Sequence, residues 1–156
     1  MAVMSAFADE IDPDLKTQMD VCEANGVRCI DVRAIDGTNV SQFTVDQARE
    51  YRRHMADRGF EVPCLGSPIG KVRIDEPFEP HLDLLKHCFE VAGAFDCGRI
   101  RMFSFYPPEG GRIADHRDEV IDRLGRMAAA AEDADIVLLH ENEGKIYGEG
   151  PDGVKD

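Results

Sequence analysis

The sequence predicts an α/β chain of βα units on a parallel sheet, and three observations carry that prediction. Short apolar segments recur along the chain at spacings of roughly 25 to 38 residues. The stretches between them place apolar residues three or four positions apart, the signature of helices with one buried face. No low-complexity stretch and no Pro/Gly/Ser-rich linker divides the 156 residues, so one domain of ordinary size (~100–150 residues) is expected. Two architectures satisfy the alternation: an open, doubly wound sheet of five strands, or part of a (β/α)8 barrel, which usually takes ~250 residues.

The first strand is read over residues 3–7. Asp12-Pro13-Asp14 then marks a helix start, with Asp12 as N-cap and Pro13 where its missing N–H does no harm. Leu15, Met19 and Cys22 make that helix's apolar face, and Asn25-Gly26 end it. Residues 27–32 form the second strand. Thr44 caps a second helix with Val45, Ala48, Tyr51 and Met55 inward and Gly59 as its stop. Residues 61–65 make the third strand, which Gly66-Ser67-Pro68 breaks. A third helix over about residues 78–92 carries Phe78, Leu82, Leu85, Phe89 and Ala92 on one side. The fourth strand covers residues 99–103 and is followed by the loop 106–111. A fourth helix over roughly 115–132 turns Val120, Leu124, Met127 and Ala131 inward, and residues 136–140 form the fifth strand. Beyond a loop, Gly150-Pro151-Asp152 resembles the first turn of another helix. The simplest reading is a partial (β/α)8 barrel: about four βα units plus a fifth strand, the front of a longer design.

Eighteen Lys and Arg against 31 Asp and Glu leave a formal charge of −13. A surface of that sign repels phosphate backbones, which disfavours nucleic-acid and anionic-membrane partners while leaving room for a local basic pocket. Arg outnumbers Lys 13 to 5 and the acids are spread along the chain, as suits a hydrated acidic shell in a high-salt cytoplasm. Stability should then rise, not fall, between low and molar salt. Met1-Ala2-Val3-Met4-Ser5 lacks the charged start and long apolar run of a secretory leader, and no segment approaches the ~20 apolar residues of a membrane span. Five cysteines, an odd number without CxxC spacing, read as buried reduced thiols. A cytoplasmic protein is expected.

Parallel α/β folds bind ligands beyond the carboxyl ends of their strands. The residues there are Asp9-Glu10, then Arg33 and Asp36-Gly37, then Ser67 to Lys71, then Arg101, Ser104 and Tyr106, and finally His140-Glu141-Asn142-Glu143. Singly, each is what a chain entering water would show; together they suggest a polar pocket for an oxygen-rich small molecule. Glu141 is the most informative, because a carboxylate aimed by a rigid strand can ligate a hard metal or act as a base. His140 precedes it and faces the opposite side, where packing or a hydrogen bond is expected. His54, His81, His87 and His116 fall on helices or their entries and read as surface residues. Lys71 follows a Gly-containing loop that lets the backbone approach a ligand, yet Val72 stands where a phosphate-cradling GxxxxGK[ST] loop needs Ser or Thr.

The segments Phe7-Ala8-Asp9-Glu10-Ile11, Gly66-Ser67-Pro68-Ile69-Gly70-Lys71, Arg101-Met102-Phe103-Ser104-Phe105-Tyr106 and Leu138-Leu139-His140-Glu141-Asn142-Glu143 resemble the sugar phosphate isomerase/epimerase group. The likeness runs through the whole chain but covers about the first half of that family's length. It implies a xylose isomerase-like TIM barrel with one divalent metal (Mn, Mg, Co or Zn), bound by a Glu at the fifth strand and by Asp, His and Glu from later strands. Glu141 matches the first of these, as metal ligand and catalytic carboxylate; the others have no counterpart here. Arg33, Ser67, Lys71, Arg101 and Ser104 would line the pocket for a small carbohydrate or sugar phosphate, with proton transfer beside a carbonyl through an enediolate. A related group cuts DNA at abasic sites with extra histidines at the early strand ends, where this sequence has Asp31-Val32-Arg33 and Ser67-Pro68. A third reading is a degenerate, non-catalytic half barrel, whose open edges would favour self-association or a homo-oligomer. The 156 residues alone are expected to be inactive.

Overall fold

Backbone N–H groups at a helix start need oxygen partners, and the computed structural model, which describes residues 3–156, supplies them from local side chains at the first two helices. Met1 and Ala2, part of the start read as leaderless, lie outside the described residues. Helix α1 (Leu15–Ala24) is capped by Asp14, which accepts from Thr17 N at 2.7 Å. The cap is thus two residues later than the sequence reading: Asp12 spends its carboxylate on Asp14 N at 2.8 Å, an Asx turn that leads into the helix. Helix α2 (Val45–Asp57) begins with a full capping box between Thr44 and Gln47. Helix α3 runs Phe78–Ala94 and α4 Arg117–Asp133, the latter led in by a 3-10 turn at Ile113–His116. A short α5, Pro151–Lys155, carries proline at its first turn.

The strands are shorter than the apolar runs. β1 (Ser5–Ala6) pairs in parallel with β2 (Cys29–Ile30), aligning Ser5 with Cys29. Residues 61–65 follow as single bridges, Cys29 to Glu61, Val32 to Leu65 and Leu65 to Ile100. Pro63 within that segment has no N–H to give to a ladder, which accounts for the broken pairing. β5 (Arg99–Met102) then pairs in parallel with β6 (Val137–His140) from Arg99–Val137 through Met102–His140. The order is that of consecutive early strands of a barrel. A hairpin that the strand reading does not contain, β3 (Ala34–Ile35) with β4 (Thr38–Asn39), turns at Asp36-Gly37, both at positive φ (52° and 73°). Asp-Gly between short strands is the local signal for it.

The helices cover the outer face of this sheet. Met19, Cys22, Ala48, Met55, Leu85 and Met127 are buried against Ile30, Val32, Leu65 and Ile100. Cys22, Cys29, Cys88 and Cys97 are buried and all five cysteines are free. Burial pushes the Cys64 thiol up to about 11 and Cys88 up to about 12, leaving them unreactive near neutrality. Among the described residues no helix is long and apolar enough to cross a membrane. The outer edge of β6 carries no strand among the described residues, and Val137 and Leu139 stand 56% and 39% exposed beside it.

Candidate functional site at the carboxyl rim

Two aromatic rings organise the rim. Phe7 leaves β1 just before the 3-10 turn Ala8–Glu10, and Phe103 follows β5. The Arg33 guanidinium lies 5.2 Å from the Phe7 ring centre, and Arg101 lies 5.4 Å from Phe7 and 4.6 Å from Phe103. The Lys71 ammonium stands 4.3 Å from the Phe103 ring. Three cations therefore gather around two rings, each close enough for a cation–π contribution. Gly66 lies against this cluster: a Cβ there would meet Phe7 Cε1 at 2.7 Å and Arg101 Nη2 at 3.2 Å.

The loop that carries Lys71 is pinned from below. Ser67 Oγ donates to Arg101 O at 2.6 Å, Phe103 N donates to Ile69 O at 2.8 Å, and Gly70 N donates to His81 Nε2 at 2.8 Å. Gly70 sits at φ +85°, and a Cβ would come within 2.0 Å of Phe103 O, so only glycine fits. His81 is therefore no surface residue, as its helical position had suggested, but a buried acceptor from α3. Burial holds its pKa below the usual imidazole range. His87 also turns inward, its Nε2 2.8 Å from Phe43 O, whereas His54 stays exposed.

Carboxylates face the cations. Arg33 Nε reaches Asp9 at 2.8 Å and its Nη2 reaches Glu10 at 3.1 Å. Arg101, with 11% of its side chain exposed, has its Nη1 3.4 Å from Glu141 Oε2, and its Nε is buried without an acceptor. Burial pushes the Arg101 pKa down, and the nearby Arg33 charge adds to this. Lys71 Nζ stands 2.5 Å from Glu143, whose other oxygen accepts from the Tyr106 hydroxyl. The Lys71 and Tyr106 hydrogen bonds hold the Glu143 carboxyl below its ordinary range, and the same bond pushes Tyr106 up to about 12.

Of the residues singled out from the sequence, Arg33, Lys71, Arg101 and Glu141 converge at this rim. Glu141 is aimed by the backbone, since its N–H continues the β5–β6 ladder to Met102 O at 3.0 Å. Ser67 is fully buried with its hydroxyl on Arg101 O, so it braces the site from beneath. Ser104 lies on the other face of the sheet: its buried hydroxyl accepts from Gly148 N at 2.7 Å and lies 3.0 Å from His140 Nε2. His140 is hydrogen-bonded there as period-2 alternation requires. The rim residues not singled out as site members are Phe7, Phe103, Tyr106 and Glu143; the same alternation from Arg101 reaches Phe103, and from Glu141 reaches Glu143. Asp31 was also passed over; one of its oxygens is buried without a partner, and burial raises its pKa. A cleft of about 660 Å³ lies elsewhere, between α1 and α2, lined by Asp14, Asp36, Tyr51 and Arg58 among others.

Among the described residues no three His, Cys, Asp or Glu side chains are placed to hold a metal ion. Glu141 is one aimed oxygen donor beside a guanidinium, short of the several a divalent cation takes. The donors among the described residues do not make a complete metal site. What the rim offers by itself is cationic recognition of ligand oxygens and carboxylates able to exchange protons.

No curated protein matches the sequence. Solved structures do resemble it. A xylose isomerase-like TIM barrel protein from Mycobacterium smegmatis in complex with magnesium matches with a TM-score of 0.71 and 16% identity, over 98% of this chain and 58% of its own. A probable 3-DHS dehydratase of Bacillus anthracis involved in petrobactin synthesis gives 0.75 and 14%, over 99% and 57%. A D-tagatose 3-epimerase-like protein gives 0.69 and 16%, over 97% and 57%. The chain thus spans less than two thirds of the length of these structures. The likeness decides between the two architectures left open by the sequence: the parallel strand segments are those of part of a barrel, not a complete flat layer. The profile of the xylose isomerase-like TIM barrel family matches residues 6–150, and the chain belongs to that family.

Proposed function

We propose that this chain supplies the front of a metal-dependent sugar or sugar-phosphate isomerase or epimerase, an enzyme that moves a proton beside a carbonyl through an enediolate. The observation that carries the reading is Glu141: a carboxylate that follows β6, its backbone held by the strand ladder and its half-exposed side chain 3.4 Å from Arg101 at the rim. The family to which the chain belongs and the epimerase-like name of one structural relative support the reaction class. The magnesium in another relative supports a divalent ion, with its identity among Mn, Mg, Co and Zn open. Glu141 contributes one ligand, and the remaining donors come from strands that pair with the free edges of β1 and β6. Arg33, Lys71 and Arg101 face substrate oxygens, while Ser67 and Ser104 act as supports.

The test is Glu141→Gln in a protein carrying the complete barrel. Metal-dependent turnover of the sugar should fall by more than about a hundredfold, the scale of losing a proton-transfer group; unchanged turnover would remove Glu141 from the role. These 156 residues alone should not turn over sugar. A second reading, a non-catalytic half barrel that associates through its edges, is favoured by the exposed Val137 and Leu139. Sedimentation separates the two, since a monomer across the micromolar range counts against edge association.

A further inference from the structure

We propose that Lys71, Tyr106 and Arg101 form a subsite for an anionic group on the substrate, a phosphate or a carboxylate, and that Glu143 fills it as an internal stand-in until substrate arrives. The inference rests on the isomerase reading for the sugar body of the substrate and adds its charge. Glu143 is held as a ligand anion would be: one oxygen on the Lys71 ammonium at 2.5 Å, the other on the Tyr106 hydroxyl. Arg101 attracts the same carboxylate through space and has donors to spare, since its Nε is buried without an acceptor. Its Nη1–Glu141 contact of 3.4 Å is long beside the ~2.7–2.9 Å of a good charge-assisted bond.

The cradle and its occupant differ in how they are held. Lys71 and Tyr106 lie on segments tied together by Tyr106 N to Val72 O at 2.9 Å and by the Gly70 and Phe103 contacts. Arg101 is part of β5. Glu143 sits in the irregular stretch between β6 and α5. An incoming anion can therefore displace Glu143 without moving the groups that recognise it. With Glu143 withdrawn, two cations remain over the apolar Phe103 ring and the Tyr106 hydroxyl loses its acceptor, which suits a dianion better than the single carboxylate now present. A neutral sugar offers no charge to displace Glu143, which would stay on Lys71 and Tyr106.

Calorimetric titration of the metal-free chain with inorganic phosphate, glycerate and neutral glycerol tests this. Phosphate and glycerate should bind and glycerol should not; the tighter of the two anions identifies the substrate group. Glu143→Gln should tighten phosphate binding about tenfold by weakening the internal competitor, and Lys71→Met should weaken it about tenfold. Tyr106→Phe, a change at a half-exposed position, should weaken it less and keeps the test alive if Glu143→Gln unfolds. Phosphate affinity unchanged in Glu143→Gln and Lys71→Met, or glycerol binding as well as phosphate, overturns the proposal. Failure here is separable from failure of the isomerase reading. Turnover of an uncharged sugar by the complete barrel without anion binding sinks only the subsite, and anion binding without any turnover sinks only the reaction.

Discussion

β5 and β6 are four-residue strands in one register, yet their burial runs opposite to their composition. β5 reads Arg-Ile-Arg-Met, with Ile100 fully buried and Met102 nearly so. β6 reads Val-Leu-Leu-His, far more apolar, and leaves Val137 and Leu139 exposed. The difference lies in their neighbours. β5 has the segment 61–65 on one side, β6 on the other and α3 packed against it. β6 has β5 on one side and α4 packed against it, and its other edge carries no strand among the described residues. Apolar composition thus marks where burial is required, and pairing decides where it is achieved. The mismatch at β6 points to a cover that the described residues do not provide.

The sharpest way to break this comparison is at Gly70, which locks the loop against the end of β5. Gly70→Ala forces a methyl toward Phe103 O and a side chain onto φ +85°, and urea unfolding should show a loss above about 3 kcal/mol. A loss under about 1 kcal/mol would mean that the loop is not held as described. Truncation of the two strands gives the next contrast. Ile100→Ala should cost about 2–5 kcal/mol for a buried core residue, whereas Val137→Ala should cost under about 1 kcal/mol. Equal costs would mean that the β6 edge is covered in solution. Val137→Lys should in addition lower any self-association seen by sedimentation.

The smallest effect is a pH dependence that belongs to the β5 side. His81 is buried and neutral, with Nε2 accepting from Gly70 N, and its pKa lies below the ordinary 6.5, with Glu76 and Arg123 as the nearby charges. The unfolded chain takes up this proton more readily, so the contribution is full above about pH 6.5 and is lost as pH falls through the depressed folded value. His140, shifted the same way by burial, adds to the trend from the β6 side. His81→Gln should flatten the acid limb of a stability-against-pH curve; an unchanged limb would assign it to other groups.

Much of the fold was legible because its cause is local. Thr44 and Gln47 cap α2 through their own side chains, and the apolar spacing of Leu82, Leu85 and Ala92 places α3 whatever packs against it. Local rules also misled where two residues compete for one role, as with Asp12 and Asp14, or where an apolar run holds Pro63 and makes bridges instead of a strand. At the rim, chain position was enough to bring Arg33, Lys71, Arg101 and Glu141 forward. It did not separate Ser104, whose hydroxyl is used on the far face, from those four. Nor did it reveal Glu143 in the grasp of Lys71 and Tyr106, because that contact joins residues more than thirty positions apart.

By itself, then, the amino-acid sequence determined the alternation of strand and helix, the ends at which polar groups collect, and the acidic surface, since each follows from residue type and near-neighbour spacing. The tertiary structure alone decided that His81 is an inner brace, that the more polar strand is the better buried, and that three cations meet over Phe7 and Phe103. Those facts depend on which distant segments become neighbours, and burial, charge pairing and strand edges are properties of neighbours rather than of residues.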